Sequence, residues 1–239
     1  MKLTIGHIYP NLLNLYGDKG NITTFEKRLS WREIKYETVQ YSPGDTIEFS
    51  KIDILYIGAC SGSRQHTVCG LLQKQKSNLK EYIKNGGAVL AIDGGYQLLG
   101  HYYKTGESLI EGLAAVDMFT ESGGKRAVGD SVIKSYLSDR VIVGFENHIS
   151  QTYIGDNKPL GQTISGNGNN GKDCGEGVVY KNVIGTYLHG PLLPKNPHLC
   201  DYILKCALEQ RFGSALLEPL DDSAELAANA YIMQKYGGF

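Results

Sequence analysis

The chain has 239 residues, of which 41% are apolar and 21% charged, a balance typical of a globular protein with a substantial buried core. Its formal net charge is −1 at pH 7, and the absence of a long basic run gives direct nucleic-acid binding little support. No N-terminal stretch joins positive charge to an apolar run, and no apolar segment approaches the roughly 18 residues that a membrane span needs. We therefore expect a cytoplasmic protein.

Cysteine usage argues against a disulfide framework and against a metal site. The five cysteines are an odd number and no two form a Cys-x-x-Cys pair. They are Cys60, Cys69, Cys174, Cys200 and Cys206. A Gly- and Asn-rich loop, Ser165–Gly171, lacks the Gly-Lys-Ser/Thr ending of a phosphate-binding P-loop. The sequence therefore predicts reduced thiols, no metal, no bound cofactor and no ATP site.

The first half of the chain alternates apolar strand-like runs with helical patterns. Strands are predicted at Leu3–Tyr9, Ile34–Tyr41, Ile52–Ile57 and Ala88–Ile92, and helices at Ile22–Glu33 and Leu71–Asn85. A small-residue loop follows the third of these strands. This order is typical of an α/β fold in which a mainly parallel sheet is flanked by helices on both faces.

The second half is more mixed, and we find no internal repeat or linker in it. Strands are predicted at Val141–Phe145 and Gly177–His189, the second being interrupted by a hairpin turn at Lys181-Asn182. Helices are predicted at Asn196–Phe212 and at Ser223–Lys235, the last one ending at Gly237-Gly238. We expect residues 1–239 to form a single domain.

Residues 88–100 contain the most informative local pattern, a buried strand followed by a sharp turn and the start of a helix. Asp93 stands at the turn and is followed by Gly94-Gly95. The side chain at the apex of such an elbow projects into a cleft, and the backbone N–H groups after it can stabilise an oxyanion. This arrangement suits acyl transfer, although a carboxylate occupies the position where a nucleophile is expected.

A histidine far downstream is a candidate base for the same cleft. His189 ends the second apolar run, in Gly185-Thr186-Tyr187-Leu188-His189-Gly190-Pro191. Ligands of doubly wound sheets bind beyond the carboxyl ends of the strands. The loops after Ile57, Ile92 and Leu188 are therefore expected to meet at one edge of the sheet.

Several longer motifs resemble one protein family nearly from end to end. They are Tyr9–Ile22, Gly94–Gln97, Gly144–His148 and Gly185–Pro197. The chain resembles the glutaminase subunits of lipid II isoglutaminyl synthase, which are relatives of the cobyric acid synthase-type class I glutamine amidotransferases. The resemblance implies the class I glutamine amidotransferase fold and hydrolysis of glutamine to supply ammonia. It also implies a Mur-ligase-like, ATP-dependent partner that amidates D-glutamate in lipid II to D-isoglutamine, so membrane contact is only indirect.

The resemblance assigns roles to particular positions. In the family a cysteine at the elbow attacks the glutamine amide with the histidine as its base, which corresponds here to Asp93 and His189. An oxyanion loop corresponds to Gly58-Ala59-Cys60-Ser61, and Arg126 is expected to be a cation on the substrate side. The remaining substrate-binding positions implied by the motifs are Gly94, Tyr96 and Gln97.

The chain departs from the family at the residue that matters most. A carboxylate attacks a planar amide poorly, and its product would be a mixed anhydride of higher energy, whereas a thiolate is a strong nucleophile. Asp93 is therefore expected to abolish glutamine hydrolysis and to cap the following helix or pair with protonated His189. The loops at residues 58–65 and 149–151 also differ from the family pattern.

Two functions remain open at this stage. The chain is either an amidotransferase glutaminase subunit or a catalytically silent subunit that keeps the fold and supports or regulates the ligase. Cys60 is a further, less favoured candidate for a relocated nucleophile, because it lies in the loop that faces the elbow. The last predicted helix is a candidate docking element for the partner.

Overall fold

The computed structural model describes residues 1–60, 62–214 and 216–236. Its strands in chain order are β1 (Lys2–Ile8), β2 (Lys35–Tyr41), β3 (Ile54–Ile57), β4 (Ala88–Ile92), β5 (Tyr102–Thr105), β6 (Ser108–Glu111), β7 (Phe119–Ser135), β8 (Val141–Tyr153), β9 (Gly161–Ser165), β10 (Gly175–Glu176), β11 (Val178–Tyr180) and β12 (Val183–Thr186). The helices are α1 (Lys19–Ser30), α2 (Gly62–Gln73), α3 (Lys76–Lys84), α4 (Gly94–Leu98), α5 (Pro197–Phe212) and α6 (Ser223–Tyr236).

The strands form two six-stranded sheets. The first has the order β11-β12-β4-β3-β1-β2, and all its neighbouring pairs are parallel except β11 with β12. The second has the order β10-β9-β7-β5-β6, with β8 paired to β7, and is antiparallel except for the pair of β5 with β7. The mainly parallel sheet that the first half of the sequence predicts is therefore confirmed.

The first sheet is covered on both faces, as predicted. Residues of β4 alternate between two apolar clusters: Val89 packs on the side of α2 and α3, and Leu90 packs on the side of α1 and α5. All residues of β3 and β4 are buried, which explains why these strands appear in the sequence as unbroken apolar runs. None of the helices in the described ranges is long and apolar enough to cross a membrane.

The order of the strands places three loops side by side. Because β12, β4 and β3 are parallel neighbours, the chain leaves all three strands at the same edge of the sheet. The predicted meeting of the loops after Ile57, Ile92 and Leu188 follows from this order, with β12 itself ending at Thr186. This edge carries the candidate site.

The helix predicted at Leu71–Asn85 is wrong in its extent. The structure has two helices there, α2 and α3, and α2 begins nine residues before Leu71. Gln75 lies between them, and its side chain accepts the N–H of Ile47 at 2.7 Å and donates to the carbonyl of Asp45 at 3.0 Å. These bonds tie the junction of the two helices to the segment that precedes β3.

The second half was predicted less completely. The strand predicted at Val141–Phe145 is the first part of β8, and five further strands of the second sheet escaped prediction. The hairpin at Lys181-Asn182 is confirmed between β11 and β12. The helix predicted at Asn196–Phe212 is α5, with Asn196 as its N-cap residue, and the one predicted at Ser223–Lys235 is α6. Gly237-Gly238 lie outside the described residues, and the single-domain assignment stays a prediction.

A buried cation ties the C-terminal region to the first sheet. Arg28 of α1 is 1% exposed and donates to Asp201 of α5 at 2.7 Å. The same guanidinium binds Asp222, immediately before α6. Asp201 also accepts from Arg32 at 2.7 Å, so the four side chains form one network. The network fixes α5 and the start of α6 against α1.

Candidate active site

Asp93 lies on a strained elbow between β4 and α4. Its backbone has φ 48° and ψ −111°, a conformation that a residue with a side chain rarely adopts and that costs about 1–3 kcal/mol. The Asp93 N–H donates to the carbonyl of Thr186 on the neighbouring strand at 2.9 Å, and Gln97 N–H donates to the Asp93 carbonyl at 3.0 Å. The predicted strand–turn–helix elbow is therefore present, with a carboxylate at its apex.

The two residues after Asp93 are glycines because other backbone lies against them. A Cβ on Gly94 would stand 2.6 Å from Cys60 Sγ, and one on Gly95 would stand 2.5 Å from the carbonyl oxygen of Ile57. Both distances are too short for real atoms, so the start of α4 packs directly on the loop after β3. This contact brings elbow and loop together, as the sequence predicts.

The Asp93 carboxyl is unusually hard to ionise. Burial raises its pKa from 3.8 to about 7, and the negative charge of Asp18 adds to the effect. The Gly94 backbone N–H and the charge of Arg126 oppose it. The group therefore stays protonated to a higher pH than an ordinary aspartate does. As the N-cap residue of α4 it makes no side-chain cap hydrogen bond, so the predicted capping role is not observed.

The loop after β3 is fixed by a buried carboxylic acid, Asp18, which the sequence analysis did not identify as a site residue. Asp18 is 0% exposed and accepts the Ala59 N–H with one carboxylate oxygen, while its other oxygen has no partner. Burial raises the pKa of Asp18 to about 7. Gly58 packs against the carbonyl of Leu13 so closely that a Cβ would collide with it. The Ala59 N–H is thus already engaged, and Ser61 lies outside the described residues.

Cys60 lies at the elbow but is a poor nucleophile there. Its side chain is 5% exposed, and burial together with the charge of Asp93 raises the pKa of the thiol to about 12. Nucleophilic attack requires the thiolate, which this environment suppresses. The Cys60 thiol is therefore close to the elbow, as a relocated nucleophile would have to be. Its raised pKa, however, keeps it in the unreactive thiol form.

His189 follows β12 and reaches the same edge. Its backbone exchanges two hydrogen bonds with Phe145 of β8, at 3.0 and 3.2 Å. Burial, together with the charges of His148 and Lys195, lowers the pKa of its imidazole to about 4, so the ring is neutral at pH 7. Among the described residues, no ion pair joins His189 to Asp93. The predicted pairing of a protonated His189 with Asp93 is therefore wrong, because burial disfavours the imidazolium.

Arg126 lies on the second sheet, in an irregular part of the β7–β8 pairing between Ser122 and Ala127. Such bulges redirect side chains and are common beside active sites. Its guanidinium is exposed and donates from Nε to Asn147 Oδ1 at 2.8 Å. The charge of Arg126 lowers the pKa of Asp93, and its role on the substrate side stays a prediction.

The side chains of Tyr96 and Gln97 are engaged in hydrogen bonds with other groups of the protein. The hydroxyl of Tyr96 donates to Asn169 Oδ1 at 3.1 Å, and the residue is 0% exposed. Gln97 Nε2 donates to Ser150 Oγ at 2.9 Å and to the Tyr187 hydroxyl at 3.1 Å. Its carbonyl oxygen accepts from Gln65. In this structure Gln97 joins α4 to β8 and Tyr96 joins it to the segment between β9 and β10, so contact with a substrate would require rearrangement of these bonds.

Sequence reasoning missed Tyr16, Asp18 and Asn147. The first two lie in the motif Tyr9–Ile22, and Asn147 in Gly144–His148, which carry the family resemblance. That membership was the available signal, since no local pattern marks these residues. In the parts of the chain that the structure describes, no group of three His, Cys, Asp or Glu side chains is arranged to hold a metal ion.

Comparison with known proteins now decides the family. The model of the CobB/CobQ-like glutamine amidotransferase domain matches residues 4–197. The chain belongs to this family. The subunit GatD of lipid II isoglutaminyl synthase (glutamine-hydrolyzing) from Staphylococcus aureus is 42% identical over 98% of this chain and 96% of its own length. The subunit of the same name from Streptococcus pneumoniae is 39% identical over 91% of this chain and 85% of its own length.

Solved structures agree on the fold. A glutamine amidotransferase from Thermotoga maritima has a TM-score of 0.55 and 13% identity, covering 97% of this chain and 94% of its own. The predicted class I glutamine amidotransferase-like α/β fold is confirmed. The chain is a glutamine amidotransferase by family and a relative of GatD-type synthase subunits. The elbow at Asp93, the loop after β3 and His189 lie at one edge of the first sheet, and the roles assigned to them and to Arg126 stay predictions.

Proposed function

We propose that this chain is the glutaminase-type subunit of a lipid II isoglutaminyl synthase and that Asp93 silences its hydrolysis of glutamine. Two GatD relatives that match nearly from end to end support the synthase assignment. One observation supports the loss of hydrolysis: the side chain at the apex of the elbow, where the family has its cysteine nucleophile, is a carboxyl group.

The chemistry of the two groups differs in the step that matters. A thiolate attacks the γ-amide of glutamine to give a thioester, from which ammonia has left. A carboxylate at Asp93 would have to form a mixed anhydride, which is higher in energy than the amide, and protonation of the buried carboxyl weakens it further as a nucleophile. The neighbouring Cys60 thiol does not replace it, since its pKa is raised to about 12.

The partner in this proposal is a Mur-ligase-like subunit that uses ATP to activate the α-carboxylate of D-glutamate in the lipid II stem peptide. Ammonia then attacks the activated carboxyl group to form D-isoglutamine. With Asp93 in place, the complex takes its ammonia from free ammonium. The chain contributes the amidotransferase scaffold, and its contact with the membrane is indirect, through the lipid II that the partner holds.

The test compares the unaltered chain, Asp93→Cys and Asp93→Ser, each purified in complex with the ligase partner. Glutamate release and amidated lipid II are measured with glutamine or ammonium chloride as the nitrogen source. We expect the unaltered chain and the serine control to amidate only with ammonium. The cysteine variant is expected to release glutamate and to amidate with glutamine.

Each other result has a definite meaning. Glutamine turnover by the unaltered chain contradicts the silence, and a Cys60→Ser variant then shows whether Cys60 is the nucleophile. No turnover by Asp93→Cys in an otherwise active complex favours the alternative, a structural or regulatory subunit whose pocket has also changed. The bond from Gln97 to Ser150 favours that alternative, because Ser150 belongs to residues 149–151, which depart from the family pattern and which the structure places in β8 rather than in a loop. Failure of the two subunits to co-purify contradicts both versions.

A further inference from the structure

A cavity of about 530 Å³ opens at the edge of the first sheet opposite to Asp93. Its walls come from the segment before β3, from α3 with the turn after it, and from the last turns of α5. Because β3 and β4 are parallel, this edge carries the starts of the strands, whereas Asp93 follows the end of β4. The five residues of β4 separate the two edges by about 16 Å. The cavity is therefore separate from the candidate active site, and its volume is typical of small-molecule sites.

The floor of the cavity is aromatic and is fixed by the fold. A Cβ on Gly87 would collide with the ring of Tyr82, so this ring packs directly on the backbone there. The Tyr82 hydroxyl donates to the carbonyls of Asp53 and Ala88, at 3.2 and 3.0 Å. The ring of Phe49 lies beside it, with 5.8 Å between the centroids. The floor is therefore tied to the starts of both β3 and β4.

A buried carboxylate faces this cavity. The side chain of Asp53 is 8% exposed, and its Oδ2 accepts the Thr4 N–H at 2.7 Å. The other oxygen, Oδ1, lies 3.8 Å from Arg211 Nε, which is beyond hydrogen-bond distance. Burial raises the pKa of Asp53, while the Thr4 N–H and the charge of Arg211 oppose the effect. Oδ1 is therefore available to a donor inside the cavity, and a positive charge there would stabilise the ionised form.

The charges around the cavity favour a cation. Carboxylates of Glu48, Asp53 and Glu81 belong to its lining, whereas Arg211 is the one Lys or Arg side chain among the described residues that line it. The Arg211 side chain is 55% exposed, so water weakens its field more than that of the buried Asp53. Glu48 forms a surface ion pair with Lys51 at 2.8 Å. Asp53 and Glu81 are therefore the charges that act most directly on a ligand.

We propose that this cavity binds a small organic cation, with a primary ammonium group at Asp53 and an apolar body against Tyr82 and Phe49. The ammonium group donates to Asp53 Oδ1 in a charge-assisted hydrogen bond, and Glu81 attracts it at the rim. The aromatic floor takes the apolar body out of water. The inference uses no group near Asp93 and does not depend on the proposed function.

The test is an NMR titration of the backbone amide signals of the full chain, which gives both a Kd and the place of binding. Phenethylamine is the cationic probe, phenethyl alcohol its neutral analogue and hydrocinnamate its anionic analogue. We expect the amine to bind with a Kd of about 1 mM or tighter, and about tenfold more tightly than the alcohol. Absence of saturable amine binding overturns the proposal. Equal binding of the alcohol, or preference for hydrocinnamate, overturns it as well.

Two charge variants have opposite expected effects. Asp53→Asn keeps an acceptor for the Thr4 N–H and is expected to weaken phenethylamine binding about tenfold. Arg211→Gln removes the competing cation and is expected to tighten binding about twofold or more. Glu209→Gln is the matched control, because it removes a negative charge from α5 beside the cavity without lining it, and Kd is expected to stay within about twofold. Unchanged binding by Asp53→Asn, or weaker binding by Arg211→Gln, contradicts the proposal.

A filling variant keeps the test decisive if Asp53→Asn fails to fold. Asn78 is exposed on α3 and lines the cavity, so Asn78→Trp is expected to abolish phenethylamine binding and to leave amide signals outside the cavity unchanged. Binding that survives this change lies elsewhere and overturns the proposal. The titration is repeated with the ligase partner bound to the chain. Loss of phenethylamine binding in the complex would show that the partner covers the cavity, and the proposal would be wrong.

Discussion

Substitution of Asp93 by asparagine tests the electrostatics of the elbow directly. Asparagine has nearly the same shape as aspartic acid and carries no charge. The folded chain holds the proton of Asp93 up to a pKa of about 7, whereas the unfolded chain releases it near 3.8. Between these values the folded state binds more protons, so the free energy of unfolding of the unaltered chain falls as pH rises. The Asp93→Asn variant has no proton to release at this position, so its free energy of unfolding does not fall for this reason.

The difference between the two pKa values sets the size of the effect. It corresponds to about 4 kcal/mol in full, of which about 3 kcal/mol falls between pH 5 and pH 8. Asp93 keeps some exposure to solvent, so this is an upper value, and a change of about 1–3 kcal/mol is the working expectation. Asparagine is therefore expected to become more stabilising, relative to aspartate, across this pH range.

The measurement is urea unfolding of both proteins at pH 5, 6, 7 and 8, with the difference plotted against pH. Glu176, whose pKa burial raises to about 8, is present in both proteins and drops out of the difference. The exposed Asp156 provides a control, because Asp156→Asn makes the same chemical change at the surface. A flat line for Asp93→Asn would contradict the reasoning. A line that falls with pH would mean that a nearby cation stabilises the Asp93 carboxylate.

Three further results are expected from other parts of the structure. Iodoacetamide should modify the exposed Cys174 much faster than the buried Cys60, with both rates measured by peptide mass spectrometry. Asp93→Asn should speed the modification of Cys60, because it removes a charge that raises the pKa of that thiol. Gly94→Ala should destabilise the chain by about 1–3 kcal/mol through contact with Cys60 Sγ, and Cys60→Gly should recover part of this loss in urea unfolding. Arg28→Met should cost about 3–5 kcal/mol, because two carboxylates lose their buried partner, and equal stability of the variant would show that the network contributes nothing.

The first sheet was predictable because strands that are buried on both faces appear in the sequence as continuous apolar runs. Residues 88–92 form an unbroken apolar run, and the glycines after Asp93 mark a turn that packs against other backbone. Parallel pairing then placed the three loops at one edge without further information. The elbow and His189 could therefore be located in the sequence, and so could the mismatch at residue 93.

The second sheet could not be predicted in the same way, because polar residues occupy its interior. Thr120, Ser131 and Thr152 are buried in β7 and β8, where they interrupt the apolar alternation by which strands are recognised. Their burial is tolerated because they bond to one another or to backbone, as Thr120 and Thr152 do at 2.8 Å. Such partners are distant in sequence, so a local pattern does not reveal them.

Tyr16 and Asp18 illustrate the same limit at the site. Each contacts a residue far along the chain: Tyr16 stacks on His189, and Asp18 accepts a hydrogen bond from the Ala59 N–H. The sequence shows a motif around them but not what they touch. The motifs alone do not show that His189 is neutral or that the Ala59 N–H already has a partner. Both features follow from burial in the folded chain.

The close packing of α4 on the loop after β3 also sets how this region tolerates mutation. Residue 93 already accommodates a side chain at the elbow, so a replacement of similar size there affects chemistry more than folding. Residues 94 and 95 have no such freedom, because any side chain would strike sulfur or backbone oxygen. A single replacement at residue 93 can therefore change the chemistry of the elbow, while the two glycines after it preserve the packing of α4 on the loop.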